Sequence, residues 1–507
     1  MNMAQLTHEQ LLEIVAQQSE RIAALEQQLR LLLQRQYGTR SEAISPDQLK
    51  LFAPAEAPAT TPENNADDEV VTVGAHKKKK GKRSALDPKF ERRTVHHELP
   101  EALRQCGCGA AMKDIGHETS EQFDYIPARM VVIENVQHKY ACPCCQETIV
   151  LAPKPAQPLP KTNAAAGLVA HIATTKFVDG VPLHRQETQF ERMDVHLPRN
   201  TMARWLIQVA QLILPLLNLM EDALRAGRYI QCDETPFKVL KEVGRAASAL
   251  SYMWVRRGGE PGREVVLYHY EPSRSGVVAC RLLEDYQGYV QCDGYSAYLA
   301  LEALGIVLVG CMAHLRRKFV EALKSASSQE VSQKAKASEA IRYIKKLYAI
   351  EDQIRDQSEQ VRLDTRQAQA VPVLAEFKLW LDAQAQIVLP KSPLGKAVNY
   401  ALNQWTKVIR YCDQGYLEID NNGDERAIRP FAIGRANWLF SDTPDGAHTN
   451  ARFYSLIETC KLHGHEPYAY LKHIFKELPL AVSVADYEAL LPWNLDTATL
   501  KTAAVQL

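Results

Sequence analysis

Ile230-Gln-Cys-Asp-Glu-Thr-Pro-Phe237 and Val290-Gln-Cys-Asp-Gly-Tyr-Ser-Ala-Tyr298 are the two stretches whose reading decides the fold. Each is a short strand-like run that ends in an aspartate, and the two are near copies of one another. Tyr229–Cys232 and Gly288–Cys292 read as strands by their apolar, β-favouring residues. Between them, Ser251–Arg256 and Glu264–Tyr270 are rich in β-branched and aromatic residues and flank the glycine-rich loop Arg257–Arg263, which predicts a hairpin. A helical stretch over 275–285 follows the hairpin. Beyond Asp293 comes another helix, then the apolar strand Ile306–Cys311, which feeds a helix carrying His314 and Arg316.

The succession is strand, hairpin, helix, strand, helix, strand, helix. This is the order of a ribonuclease H-like α/β core, in which the first and fourth strands are neighbours at the centre of the sheet. Asp233 and Asp293 are then expected at adjacent strand ends, with strands about 4.8 Å apart. Carboxylates so placed can share divalent ions, and two-metal phosphoryl transfer needs ions about 3.5–4 Å apart. An all-oxygen site of this kind suits Mg²⁺ or Mn²⁺. A third acid is needed downstream. Residues 321–400 read as a helical insertion, after which Leu417-Glu-Ile-Asp-Asn-Asn-Gly-Asp-Glu-Arg-Ala-Ile-Arg-Pro430 offers Glu418, Asp420, Asp424 and Glu425. Spacing alone does not choose among them. Asn421 or Asn422 is suited to cap a helix with Glu425 in its early turns, Arg426 and Arg429 following as phosphate-contacting cations and Pro430 limiting its regularity.

Upstream of the core, residues 165–220 read as helical throughout. Val181–Arg192, a turn at 193–198 and Asn200–Val209 form a helix-turn-helix pattern with Asn200 or Thr201 as cap, and Arg199 and Arg204 near the start of the second helix are expected to contact DNA. Further upstream, Cys106-Gly-Cys108 and Cys142-Pro-Cys144-Cys145 are joined by strand-like segments at Gln122–Ile126 and Val131–Val136. This predicts a zinc ribbon with ligands Cys106, Cys108, Cys142 and Cys145. Cys311-x-x-His314 has no further pair nearby in sequence and reads as a packing or DNA-contacting element rather than a second metal site.

The 60 basic and 60 acidic residues cancel overall but are segregated along the chain. His76-Lys-Lys-Lys-Lys-Gly-Lys-Arg83 places Lys77, Lys78, Lys79, Lys80, Lys82 and Arg83 in one run, expected on phosphate backbone. Before it, Ala53–Val73 has the Pro, Ala, Thr and acid content of a linker. Leu11, Val15, Gln18, Ile22, Leu25, Leu29 and Leu32 alternate four and three apart, a heptad seam that predicts oligomerisation. Eleven cysteines, five of them clustered between 106 and 145, fit a reducing compartment, and there is neither an uninterrupted apolar run of membrane length nor a secretory signal pattern. A cytoplasmic, nucleoid-associated protein with no membrane partner is expected.

The class is therefore multidomain α+β. A leucine-zipper-like helix occupies 1–45, a linker with the basic run 46–95, and a zinc-binding domain 96–155. A helical DNA-binding region spans 160–225, the catalytic core 226–440 with its insertion, and a carboxy-terminal helical tail 441–507. The strings Gln36–Glu42 (QYGTRSE), VDGVPLHRQE (178–187), DETPFKVL (233–240), CDGYSAY (292–298), CMAHLRRKF (311–319), DNNGDERAIRPFAIGRANWLF (420–440) and YSLIETCKLHGHEPYAYL (454–471) occur in that order. They resemble the insertion-sequence 66 family of bacterial DDE transposases over nearly the whole chain.

That resemblance implies a triad of Asp233, Asp293 and Glu425, choosing the glutamate of the D-N-N-x-x-E-R pattern. It also implies binding of double-stranded DNA at the terminal inverted repeats of a mobile element and at target DNA, a homo-oligomer, and accessory proteins from the same element. Two positions depart from the family pattern: the first cysteine pair is C-x-C rather than C-x-x-C, and Gly434-Arg-Ala436-Asn-Trp438 has alanine where the family carries lysine. The expected activity is metal-dependent strand cleavage followed by strand transfer. Two rivals are a structure-selective nuclease on the same fold and a non-catalytic zinc-dependent DNA-binding regulator. Loss of a triad acid would favour the regulator, and none is lost.

Overall fold

A computed structural model of the protein describes residues 130–141, 149–326 and 331–500, together with Ile22 and Leu25, both helical. The rest of the heptad segment, the basic run Lys77–Arg83, the segment Gln122–Ile126 and the four expected zinc ligands Cys106, Cys108, Cys142 and Cys145 lie outside the described residues. Strands β1 (Lys139–Ala141) and β2 (Ile149–Leu151) form an antiparallel pair on either side of the Cys142–Cys145 segment, with Tyr140 opposite Val150. The strand expected at Val131–Val136 is not there. Those residues are irregular and largely exposed, Val132 at 96%, because β2 takes its pairing from 139–141 instead.

Four helices follow: α1 (Ala166–Phe177), α2 (Leu183–Glu191), α3 (Arg199–Leu212) and α4 (Leu214–Ala226). The turn between α1 and α2 passes through Gly180, whose φ of +70° suits glycine and whose carbonyl accepts from Asn437 Nδ2 at 3.0 Å. The expected cap on α3 is corrected. Pro198 occupies the N-cap with no side-chain cap, and Asn200 and Thr201 fall inside the first turn. A proline's fixed φ, near −62° here, already pre-sets the chain for helix entry. Met202, Trp205, Leu206 and Val209 then recur at helical spacing and are buried. Among the described residues no single helix is long and apolar enough to cross a membrane, and α3 and α4, bent by 52°, face the core with these side chains.

The central sheet has five strands: β3 (Tyr229–Lys238), β4 (Leu250–Gly258), β5 (Val265–Glu271), β6 (Tyr289–Cys292) and β7 (Val307–Gly310), in the order β5-β4-β3-β6-β7. The first three are antiparallel neighbours; β3–β6 and β6–β7 are parallel. Parallel neighbours need a crossover connection, supplied by helix α5 (Gly276–Leu282) before β6 and by a 3₁₀ stretch, Ser296–Leu304, before β7. One detail differs from the sequence reading. Asp233 is not at the end of its strand, because β3 runs on to Lys238 against β4; it lies two residues beyond Gln231, the last residue paired with β6. Asp293 immediately follows β6, so both aspartates still emerge where the parallel pairing stops.

After β7 comes α6 (Met312–Ser325), then α7 (Val331–Ile354), α8 (Glu359–Thr365), α9 (Val371–Ile387) and α10 (Pro393–Val408). Helices α6, α7, α9 and α10 share a hydrophobic core of their own with β7 and Leu417 and Ile419. Residue 321, the expected start of the insertion, falls within α6, and the helices beyond it run from Val331 to Val408. Helix α11 (Asn422–Trp438) returns to the sheet without breaking at Pro430, and α12 (Pro444–Leu462), α13 (Pro467–Glu477) and α14 (Val484–Ala489) complete the chain. Helices α1–α4, strands β3–β6 and the carboxy-terminal helices bury their apolar faces in one continuous core that runs from Leu159 to Leu500.

The insertion is locked to the main chain by Arg366, fully buried in a π-helical turn between α8 and α9. Its guanidinium donates to both oxygens of Glu351, at 2.9 and 2.6 Å, and to the carbonyls of Tyr411 and Gln414, both at 2.9 Å. Arg366→Met would strip the buried Glu351 of its bidentate partner and leave it Arg362, 4.0 Å away. The expected loss is about 3–5 kcal/mol of stability, read as a lower urea midpoint. A midpoint equal to wild type would show that this pair does not hold the insertion.

Candidate active site

Two glutamines at equivalent positions of the repeated strings, Gln231 and Gln291, place the segment that precedes α11. Gln231 Nε2 donates to the Asp420 carbonyl and to Gln291 Oε1, both at 3.1 Å. Gln291 Nε2 donates to the carbonyls of Glu418 (2.8 Å) and Gly310 (3.2 Å), and the Tyr229 hydroxyl also donates to Gln291 Oε1. Asn421 then stands at the N-cap of α11 without capping it. Its Nδ2 instead donates to the Cys232 carbonyl at 3.1 Å, one residue before Asp233. At the other end of α11, Arg435 Nη1 donates to Thr235 Oγ1 at 3.0 Å. The helix therefore lies along β3, with Glu425 in its first turn.

The four acids left open by spacing have distinct settings. Glu418 is half exposed and pairs with Arg362 at 3.1 Å. Asp420 is occupied structurally: Tyr348 Oη and Asn422 Nδ2 donate to its Oδ2 at 2.7 Å, and Asn422 N to its Oδ1 at 3.0 Å. Asp424 is fully buried, and neither carboxylate oxygen has a hydrogen-bond partner. Burial, and then the charge of Asp233, push its pKa well above the usual range, so the neutral acid is favoured. Glu425 has a side chain 27% exposed, with Arg317 Nη2 at 3.5 Å and His314 Nδ1 at 3.6 Å from its Oε1. Burial raises its pKa, and Arg317 opposes that shift.

Asp233, Asp293 and Glu425 come together as one electrostatic group. Burial drives the Asp233 carboxyl up to about 8, with further contributions from the charges of Glu234, Asp293 and Glu425. The Glu234 N–H steadies Asp233 Oδ1 and the Tyr295 N–H steadies Asp293 Oδ1, each at 2.8 Å. Glu234 itself is nearly buried, accepts from Tyr298 Oη at 2.5 Å, and is pushed to about 7 chiefly by burial. Partly buried carboxyls of one sign, two of them held by a single backbone donor each, suit a divalent cation with oxygen ligands. Burial, and then Arg317, lower His314 to about 4, so its ring is neutral at physiological pH.

The expected phosphate-contacting residues are spread more widely. Arg426 and Arg429 lie exposed on α11, and Arg199 and Arg204 lie exposed on α3. Sequence reading missed Gln231, Gln291 and Arg317, and singled out Asn421 only as a cap. The repeated Q-C-D string was the available signal for the glutamines, whereas nothing local marks Asn421 as a tether to β3. An open cleft at the start of β3, lined by Arg228, Tyr229, Gln231, Arg257, Glu359 and Glu418, includes none of the three carboxylates.

Comparison with known families gives four matches. The family described as "Transposase IS66 family" matches residues 161–449, and "IS66 C-terminal element" matches 455–493. "Zinc-finger binding domain of transposase IS66" matches 104–146, and "Transposase C of IS166 homeodomain" matches 24–95. The chain is also similar to uncharacterized protein y4jD of Sinorhizobium fredii (strain NBRC 101917 / NGR234), 31% identical over 509 residues that cover 96% of this chain and 98% of that protein. Uncharacterized protein y4qI of the same organism is 31% identical over 494 residues, covering 94% and 89%.

An aspartate ionises near pH 3.9 in an unfolded chain, and Asp233 does so near 8 in the folded one. Its contribution to stability is therefore complete below about pH 4 and is lost as pH rises through about 8. In metal-free buffer, Asp233→Asn is expected to melt above wild type at about pH 9, with the difference shrinking toward pH 5. Parallel pH profiles for the two proteins would contradict the crowding described here.

Proposed function

The chain belongs to the IS66 family of transposases, and we propose that it is the transposase of a bacterial insertion sequence, cutting and joining DNA strands at Asp233, Asp293 and Glu425. The observation that carries this reading is the electrostatic convergence of three carboxyls from β3, the end of β6 and the first turn of α11. The strand order β5-β4-β3-β6-β7, with β6 and β7 parallel to β3, supports a ribonuclease H-like core.

The donor set fits Mg²⁺ or Mn²⁺, held by Asp233, Asp293 and Glu425: all ligands are oxygen, and Asp233 carries a mutual repulsion that a cation relieves. When bound, the metal supplies charge stabilisation to the attacking and leaving oxygens of an in-line displacement. The chain's own residues do the positioning. The N–H groups of Glu234 and Tyr295 fix one oxygen each of Asp233 and Asp293, and the α11 tethers hold Glu425 over β3. Arg317, Arg426 and Arg429 border this surface and bear on backbone phosphates. In the first step water attacks the phosphodiester bond at the element end and releases a 3′-hydroxyl. In the second, that hydroxyl attacks a target phosphodiester and displaces the target's own 3′-oxygen.

The remaining segments divide the recognition work. The zinc-finger segment, with Cys106, Cys108, Cys142 and Cys145 as zinc ligands, the basic run 77–83, and Arg199 and Arg204 on α3 bind the element ends. The heptad helix pairs protomers so that two ends are held together, and accessory proteins of the element complete the assembly. The setting is the cytoplasm, on the nucleoid.

Purified protein with Mg²⁺ or Mn²⁺ and labelled DNA carrying the terminal sequences of the flanking element tests the reading. Wild type is expected to nick at the ends, and Glu425→Gln to lose at least about a hundredfold in rate while binding persists. Cutting of branched DNA indifferent to the ends would favour a structure-selective nuclease. Retention of nicking by Glu425→Gln would remove Glu425 from the triad. Separately, replacing Lys77, Lys78, Lys79 and Lys80 together by Gln is expected to weaken binding about equally on every sequence. It should also reduce the slope of log affinity against log salt by up to about 3.6. An unchanged slope would place the basic run off the DNA.

A further inference from the structure

Cys311 and His314 have no part in the mechanism above, and sequence spacing supplied them with no third partner. The fold brings one from a hundred residues away. Cys311 immediately precedes α6 with its thiol buried, His314 lies in the first turn of that helix, and Glu425 arrives on α11. A Cys311 sulfur, a His314 ring nitrogen and a Glu425 carboxylate oxygen all lie within 4.8 Å of one another. His314 Nδ1 is buried without a hydrogen-bond partner and lies 3.6 Å from Glu425 Oε1. Two ligands of a tetrahedral zinc ion at 2.0–2.1 Å are about 3.4 Å apart, so this pair already has a coordinating separation. Asn421 N donates to Cys311 Sγ at 3.2 Å, the kind of outer contact that steadies a metal thiolate.

The charges facing the site are mixed. Asp293 and Asp420 are negative neighbours. Arg317 Nη2, at 3.5 Å from the same Glu425 oxygen, is positive, but its side chain is 53% exposed and can turn into solvent. Lys318 is drawn aside over the Tyr400 ring, at 5.6 Å from its centroid.

We propose that Cys311, His314 and Glu425 are the protein ligands of a thiophilic divalent-metal site of zinc type, distinct in donor chemistry from the all-oxygen cluster and sharing Glu425 with it. Binding replaces the thiol proton by a sulfur–metal bond and releases that proton to water, with no change of oxidation state. A sulfur and an imidazole select zinc-like ions over Mg²⁺. The sharing rests on the transposase reading: an ion here draws Glu425 away from Asp233 and Asp293 and so inhibits Mg²⁺-supported cleavage.

The full-length protein, carrying a single equivalent of zinc, which the four-cysteine segment takes first, is titrated with Co²⁺ and read by thiolate-to-cobalt charge-transfer absorption. Wild type is expected to take up one Co²⁺ more than Cys311→Ser, with a thiolate band that the variant lacks. His314→Gln, which keeps the thiol of Cys311 in place, is expected to weaken that uptake at least about tenfold. Identical stoichiometry and spectra in wild type and His314→Gln would overturn the site. Added Zn²⁺ should inhibit strand cleavage by wild type and spare the residual cleavage of His314→Gln; equal inhibition of both would overturn the sharing. A cobalt band in a protein that cuts no element end would leave the metal site standing and count against cleavage by this chain unaided.

Discussion

The side-chain amides of Gln231 and Gln291 are the contact on which the rest of the site depends. They meet between the two central parallel strands, and each reaches a backbone carbonyl in the segment 418–420. Without those bonds the segment that crosses the sheet would leave carbonyls buried and unpaired, at a cost of about 1–3 kcal/mol each. With them, the chain that returns from a long helical insertion is fixed to the strands that carry Asp233 and Asp293. Positional precision at Glu425 is therefore set by residues that never touch it. The insertion contributes too, because Arg366 ties its interior to the carbonyls of Tyr411 and Gln414, a few residues before that crossing.

The electrostatics of the site follow from where these segments meet. Burial is the largest influence on Asp233, Glu234, Asp424 and Glu425 alike, and it pushes each of them up. A cluster of this kind costs stability in the protein alone, a pattern expected where residues are arranged for binding a cation rather than for folding. Asp424 is an unusual member: its carboxylate has no hydrogen-bond partner, and after burial the charges of Asp233 and Arg257 act on it most. Its side chain stands on the sheet side of α11, one residue from the glutamate on the open side.

Much of the sheet was legible in the amino-acid sequence because its strands are short, apolar and punctuated by glycine. The hairpin around Arg257–Arg263 follows from such local signals, whereas the pairing of the first and fourth strands came from the order of the elements. The expected strand at Val131–Val136 failed for a complementary reason: β-branched residues favour a strand only where a partner presents itself, and β2 pairs elsewhere. Asn200 and Thr201 were good caps by type, but Pro198 starts the helix earlier. Among Glu418, Asp420, Asp424 and Glu425, composition could not discriminate. Their differences arise from Arg362, Tyr348 and Arg317, contributed by helices far away in the chain.

The outer strands of the sheet carry a last consequence. Along β5, Ser455 and Thr459 on α12 offer hydroxyls to the peptide groups of Tyr268 and Val266, at 2.8 and 3.1 Å to the two N–H groups. On the opposite side, Arg410 donates to the Leu308 carbonyl at 2.7 Å, and a Cβ at Gly310 would lie within 3.0 Å of Val408. Helical side chains thus consume the hydrogen bonds that a sixth strand would need. Edge-to-edge addition of a further strand would have to displace these side chains, which keeps both borders of the sheet closed.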